Sequence, residues 1–193
     1  MIDLAVLSKQ ISANMRILLE WLIILWGIHI VNAIVRYRLL ILGIYPRKLW
    51  GLPGIVFAPF LHGNFGHLFF NSIPLFVLAH FMLISTGSLF YPISGLIIVL
   101  GGFGVWLIGR SALHVGASGL IMGYFGFLLT MAYQQQSGLA LLLVGVCLYY
   151  FGGLVSALVP SSTRESWEGH LLGFLAGVTA ALLFLSGWFS SWF

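Results

Sequence analysis

Six apolar stretches divide the chain: about Ile17–Val35, Leu68–Ile84, Tyr91–Ile108, Ala117–Tyr133, Leu139–Val159 and Gly169–Leu185. Each approaches the roughly 20 residues that cross a bilayer as a helix, and all are too long for barrel strands. Turn-forming runs separate them: Ser85-Thr86-Gly87-Ser88, Gly109-Arg110-Ser111, Gln134-Gln135-Gln136-Ser137-Gly138 and Pro160-Ser161-Ser162-Thr163-Arg164. The first connection, Tyr45 to Gly66, differs. It holds Trp50, Phe57 and Phe60 together with Pro46, Pro53, Pro59 and four glycines. It is apolar yet broken, so it reads as a loop lying partly in the interface on aromatic anchors. The pattern predicts an all-α polytopic membrane protein, a six-transmembrane-helix bundle with a partly membrane-embedded first loop. No period of 20–50 residues recurs, which argues against a repeat architecture.

Composition narrows the class. Of 193 residues, 61% are hydrophobic and 6% charged. A soluble fold of this size could not hide that much apolar surface, and a disordered chain would carry far more charge. The first apolar run is span-length with no small-residue cleavage signal after it, so it reads as a retained helix. A single membrane domain over residues 1–193 is expected, with no soluble extra domain. The lone Cys147 lies in an apolar run and leaves no disulfide framework within the chain; it reads as core packing. The net charge of +4 includes no basic cluster that would suggest nucleic acid; in a membrane protein such an excess serves orientation and lipid headgroups. Lys9 and Arg16 lie on the N-terminal side, whereas Arg36, Arg38, Arg47, Lys48, Arg110 and Arg164 lie on the other. Read literally, the positive-inside rule puts the first loop in the cytoplasm.

The alternation of six spans has a geometric consequence. The second, fourth and sixth enter the membrane from the same side, so residues near their starts share one face and a similar depth. Carboxylates are nearly absent from the spans: Asp3, Glu20, Glu165 and Glu168 are the full set. Histidines take their place, at 29, 62, 67, 80, 114 and 170. At the start of the second span, His67 and Asn71 stand four apart on one helix face. At the start of the fourth is Gly116-Ala117-Ser118-Gly119, and at the start of the sixth Gly169-His170. Gly119 and Gly123 form one small-residue ridge, and Gly169, Gly173 and Gly177 another; such ridges let membrane helices approach closely. If the ridges face each other, Ser118 and His170 come near hydrogen-bond reach.

Serine is a poor nucleophile until a neutral imidazole takes its proton. His170 would be that base, then the acid for the leaving amine. The oxyanion needs fixed donors: the Asn71 amide, a His67 ring N–H and the Ser118 backbone N–H. No aspartate is placed to orient His170, so this is a dyad. Taken alone, Ser118 reads as a helix N-cap, His170 as a helix-bridging hydrogen bonder and the His67–Asn71 pair as a polar clamp. The conjunction at one depth on three helices favours chemistry. His29, His80 and His114 keep a structural reading.

The constellation His62-x4-His67-x3-Asn71, then Gly116-Ala117-Ser118-Gly119, then Gly169-His170-x2-Gly173-x3-Gly177 resembles the rhomboid family of intramembrane serine proteases, in its minimal six-span bacterial form. The resemblance covers nearly the whole chain. It implies Ser118 as nucleophile, His170 as base, and His67, Asn71 and the Ser118 N–H as oxyanion hole. It makes Gly116 part of the loop that opens the site. It implies membrane-protein substrates cut near the outer end of a span, favoured by helix-weakening residues and a small residue before the cut. It assigns gate and cap to about Leu139–Val159 and Pro160–Trp167. It implies a multi-pass protein of the bacterial inner membrane, with cytoplasmic termini and a site opening to the periplasm, against the charge count. Two positions depart from many relatives. Trp50-Gly51 stands where they carry Trp-Arg, and Met122 where some place a Tyr stacked on the catalytic histidine.

Other intramembrane protease classes are excluded by inventory. There is no His-Glu-x-x-His, and Asp3 is the sole aspartate. No metal or cofactor is expected. The rival readings are a bis-histidine haem carrier, a small transporter and a non-catalytic membrane protein that binds clients.

Overall fold

The first apolar stretch forms α1, Leu4–Ile34, in a computed structural model that describes residues 4–135, 145 and 166–191. Its apolar portion is Ser12–Ile34. The helix starts earlier than the apolar run because polar residues leave the membrane without ending a helix. At the other end, Arg36 and Tyr37 take left-handed backbone (φ 57° and 61°) and break it. The buried Asn32 secures the reversal, its Oδ1 accepting the Leu39 N–H at 3.0 Å.

The first loop is built against the protein rather than laid on it. It descends through the 3-10 turns Arg38–Leu42 and Leu49–Gly51, the short helix α2 (Gly54–Phe57) and the turn Ala58–Phe60. Its main anchor is α4, Phe90–Ile108. Arg47 donates to the Leu107 and Gly109 carbonyls at 3.4 and 2.8 Å and to Ser111 Oγ at 3.0 Å. A cation at a helix C-terminus suits the dipole there. Trp106 Nε1 returns a bond to the Lys48 carbonyl at 2.9 Å. A Cβ on Gly102 would lie 2.9 Å from the Ile55 side chain, so α2 presses directly on α4. Trp50 and Phe57 face outward, as anchoring aromatics should. Arg47 thus supplies a tie for the loop that does not depend on a Trp-Arg pair.

The remaining described helices are α3 (Phe65–Thr86), α5 (Ser118–Gln135) and α6 (Trp167–Leu185). Asn64 caps α3, its side chain accepting the His67 N–H at 2.8 Å, and that cap sets the start three residues before the apolar run. Gly87, with φ 55°, ends α3 before α4 begins. α5 is the central helix. Every residue from Leu120 to Phe127 is buried, as expected of a helix apolar all round. Trp26 Nε1 ties α1 to α3 through Ser72 Oγ at 3.2 Å, and Tyr124 is bonded to Ser94 of α4 at 2.8 Å. Among the described residues there is no strand, only an isolated antiparallel pair between Ile44 and His114. Among the described residues, three helical stretches are long and apolar enough to cross a membrane: Ser12–Ile34, Phe65–Ile108 (which contains α3 and α4) and Trp167–Leu185. The molecule is an all-α, multi-pass membrane protein. The fifth apolar stretch apart from residue 145, Cys147 and the Pro160–Glu165 segment lie outside the described residues.

Candidate active site

The two glycine ridges meet. A Cβ on Gly173 would fall on the Gly119 carbonyl, and one on Gly177 on the Gly123 carbonyl. One on Gly119 would sit 3.3 Å from the Gly169 carbonyl oxygen. α5 and α6 therefore touch backbone to backbone, which only small residues permit. Ser118 immediately precedes Gly119, and His170 immediately follows Gly169. The two residues therefore lie beside the end of this crossing at which both helices start. Ser118 is half-buried and His170 buried.

Ser118 occupies the first helical position rather than the cap. The Ala117 carbonyl accepts the Ile121 N–H at 2.9 Å, so Ala117 is the residue half in the helix, and the Ser118 N–H has no intrahelical acceptor. Gly116 turns the chain into this position with φ +118°. A side chain there would be strained, and it would also collide: its Cβ would lie 2.7 Å from His67 Cε1 and Nε2 and 3.5 Å from Asn71 Nδ2. Gly116 thus brings the backbone just ahead of Ser118 against the His67–Asn71 pair. Asn71 is buried, and its Nδ2 has no hydrogen-bond partner among the described residues.

His62 was part of the sequence motif without a role, and the structure gives it one. Its Nε2 accepts the Ala117 N–H at 3.4 Å, and its ring lies edge-on to His67, 5.0 Å between centroids. Burial, then the neighbouring His67 and His29 imidazoles, bring its pKa from 6.5 down to about 3, the Phe60 carbonyl working the other way. It is neutral at neutral pH, as an acceptor must be. The Gly116 N–H donates to the Ala58 carbonyl at 2.9 Å, so the embedded first loop also holds this segment.

A cavity of about 70 Å³ opens beside Ser118, between α5, Gly101 and Val105 of α4 and the loop carrying His114. That is room for several waters, each needing roughly 10–15 Å³. Its polar lining comes from Ser118, His114 and Ser166; His67, Asn71 and His170 stand outside it. Among the described residues, no three His, Cys, Asp or Glu side chains converge as metal ligands would. Met122 is fully buried at the position after Ser118 where some relatives carry a Tyr, and Tyr124 is engaged with Ser94.

The Rhomboid domain family matches residues 46–187. The chain is also similar to uncharacterized proteins of mycobacteria. It is 38% identical over 175 residues to one from Mycobacterium tuberculosis (strain ATCC 25618 / H37Rv), covering 86% of this chain and 73% of that one. It is 34% identical over 175 residues to one from Mycobacterium leprae (strain TN), covering 86% and 69%. These matches define a multi-pass membrane protein of a family whose members are usually intramembrane serine proteases. The chain belongs to the rhomboid family.

Proposed function

We propose that this chain is an intramembrane serine endopeptidase acting by a Ser118–His170 dyad. The observation that supports the reading is the close α5–α6 crossing, in which a Cβ on Gly119 would sit 3.3 Å from the Gly169 carbonyl oxygen, next in sequence to Ser118 and His170. Ser118 Oγ attacks the scissile carbonyl as its proton passes to His170. The oxyanion is received by the Ser118 N–H, the Asn71 amide and a His67 ring N–H. Collapse expels the amine, which takes the proton from His170, and leaves an acyl-serine. Water, deprotonated by His170, attacks the ester and releases the carboxylic acid, and Ser118 recovers its proton. Substrates are transmembrane proteins. The small cavity beside Ser118 is in keeping with a small residue before the cut. The protein is placed in the bacterial inner membrane, termini cytoplasmic and site opening to the periplasmic side, as a single membrane domain.

The test is cleavage of a single-span substrate by the purified protein in liposomes, with and without a metal chelator. Cutting should survive chelation and vanish in both Ser118→Ala and His170→Ala while each variant stays folded. Cutting that persists in Ser118→Ala would overturn the assignment.

A further inference from the structure

A second cluster bridges the two arms of the site. His114 stands four residues before Ser118 on the α4–α5 loop, and Ser166 four before His170 at the cap of α6. His114 Nε2 lies 3.0 Å from the Arg110 carbonyl and Nδ1 lies 2.7 Å from Ser166 Oγ. A carbonyl only accepts, so in the neutral ring Nε2 carries the proton and Nδ1 accepts from the Ser166 hydroxyl. Ser166 Oγ in turn accepts the Gly169 N–H at 3.2 Å, and the Ser166 carbonyl accepts the His170 N–H at 3.2 Å. The proton directions are consistent along the whole chain, from the first turn of α6 to the loop ahead of Ser118. Burial lowers the pKa of His114, which favours this neutral form; the Arg110 carbonyl and Glu168 oppose it and the Arg110 charge adds to it. A parallel tie joins Arg110 Nε to Glu168 Oε1 at 3.6 Å, and the Glu168 side chain is only 10% exposed. The loop end is fixed independently, since His114 exchanges both backbone bonds with Ile44 at 2.9 and 3.0 Å.

The separation of Ser118 and His170 follows from how the two backbone arms that carry them are joined. We propose that Arg110, His114, Ser166 and Glu168 form a positioning clamp that fixes this separation. This rests on the serine-protease reading above. The four residues touch neither substrate nor reacting atoms, so they are positioning residues.

The experiment measures kcat and KM of the full chain in liposomes, the rate at which a fluorophosphonate labels Ser118, and the unfolding temperature. It compares wild type with His114→Phe, Glu168→Arg, Arg110→Glu and the double swap Arg110→Glu/Glu168→Arg. The single variants should lose on the order of tenfold to a hundredfold in kcat, the scale of a sub-ångström to ångström misplacement. KM should stay within about twofold, and labelling should slow in step. The double swap should recover most of the loss, which a general loss of folded protein would not allow. Wild-type kcat in the single variants, a loss confined to KM, or a double swap no better than its parents would overturn the clamp. If wild-type cleavage proves independent of Ser118, the protease reading fails and the clamp falls with it; Ser118-dependent cleavage with unaffected variants sinks the clamp alone.

Discussion

Asn71 holds a buried amide donor whose nitrogen meets no acceptor among the described residues, beside the backbone that leads into Ser118. A donor left dry costs about 1–3 kcal/mol, a cost that makes sense if an acceptor arrives during the reaction. Asn71→Ala should therefore reduce kcat by about 10²-fold, the scale of one oxyanion donor, without lowering the unfolding temperature; unchanged turnover would remove it from the role. His62 makes a different prediction, about pH. Its folded-state pKa of about 3 lies below its ordinary 6.5, so the fold favours the neutral ring. The sign follows from linkage: that contribution is complete above pH 6.5, is lost progressively as the unfolded chain binds a proton the fold refuses, and is gone near pH 3. A glutamine could still accept the Ala117 N–H but does not titrate. Between pH 7 and pH 4, wild type should lose more unfolding free energy in detergent than His62→Gln, and equal losses would show that His62 is not the group responsible.

The α5–α6 crossing makes the site sensitive to one methyl group. A Cβ at Gly177 would fall on the Gly123 carbonyl, which is backbone and cannot swing aside. Gly177→Val should force the helices apart at a cost of about 1–3 kcal/mol, the usual scale of overpacking. It should also depress kcat, although it lies two helical turns from His170. Gly27 of α1 has nothing within 4 Å of its Cβ direction, so Gly27→Ala should change neither; a Gly177→Val protein with wild-type kcat would separate the crossing from the chemistry. This crossing was legible in the sequence because glycines four apart in two apolar runs let helices approach closely, and the alternation of spans put the starts of α3, α5 and α6 on one side. Helix extents were less legible. The α3 start depends on the Asn64 cap, and the N-terminal part of α1 extends beyond its apolar run. The Arg47 anchor, the His62–Ala117 bond and the His114–Ser166 bond join residues 52 to 62 positions apart. Such pairings leave no periodic trace, and only packing reveals them. One local signal was available, since Ser166 followed by Trp167-Glu168-Gly169 has the look of a capped helix start with an acid in its first turn.

At the scale of the molecule, the charge count and the family expectation disagree about which side the site faces, and the structure supplies a physical reason for following the family. The positive-inside rule counts cations near span ends as though each were available to the membrane surface and the insertion machinery. Among the described residues, two of the cations on the first-loop side are engaged by the protein. Arg47 lies on the carbonyls that end α4, and Arg110 is paired with Glu168. Arg36 and Arg38 sit at the break after α1, where long side chains can reach the interface from either side. The count is thereby reduced to a weak bias, and the orientation proposed here has the first loop outside. Leu49 on that loop is 79% exposed, which makes it a good reporter. With Cys147→Ser to remove the native thiol, Leu49→Cys should react with a membrane-impermeant maleimide on intact cells as fully as after permeabilisation. Labelling that requires permeabilisation would put the first loop, and with it the starts of α3, α5 and α6, in the cytoplasm. The enzyme would then cut its substrates near their cytoplasmic ends, and the positive-inside count would have been right despite its engaged arginines.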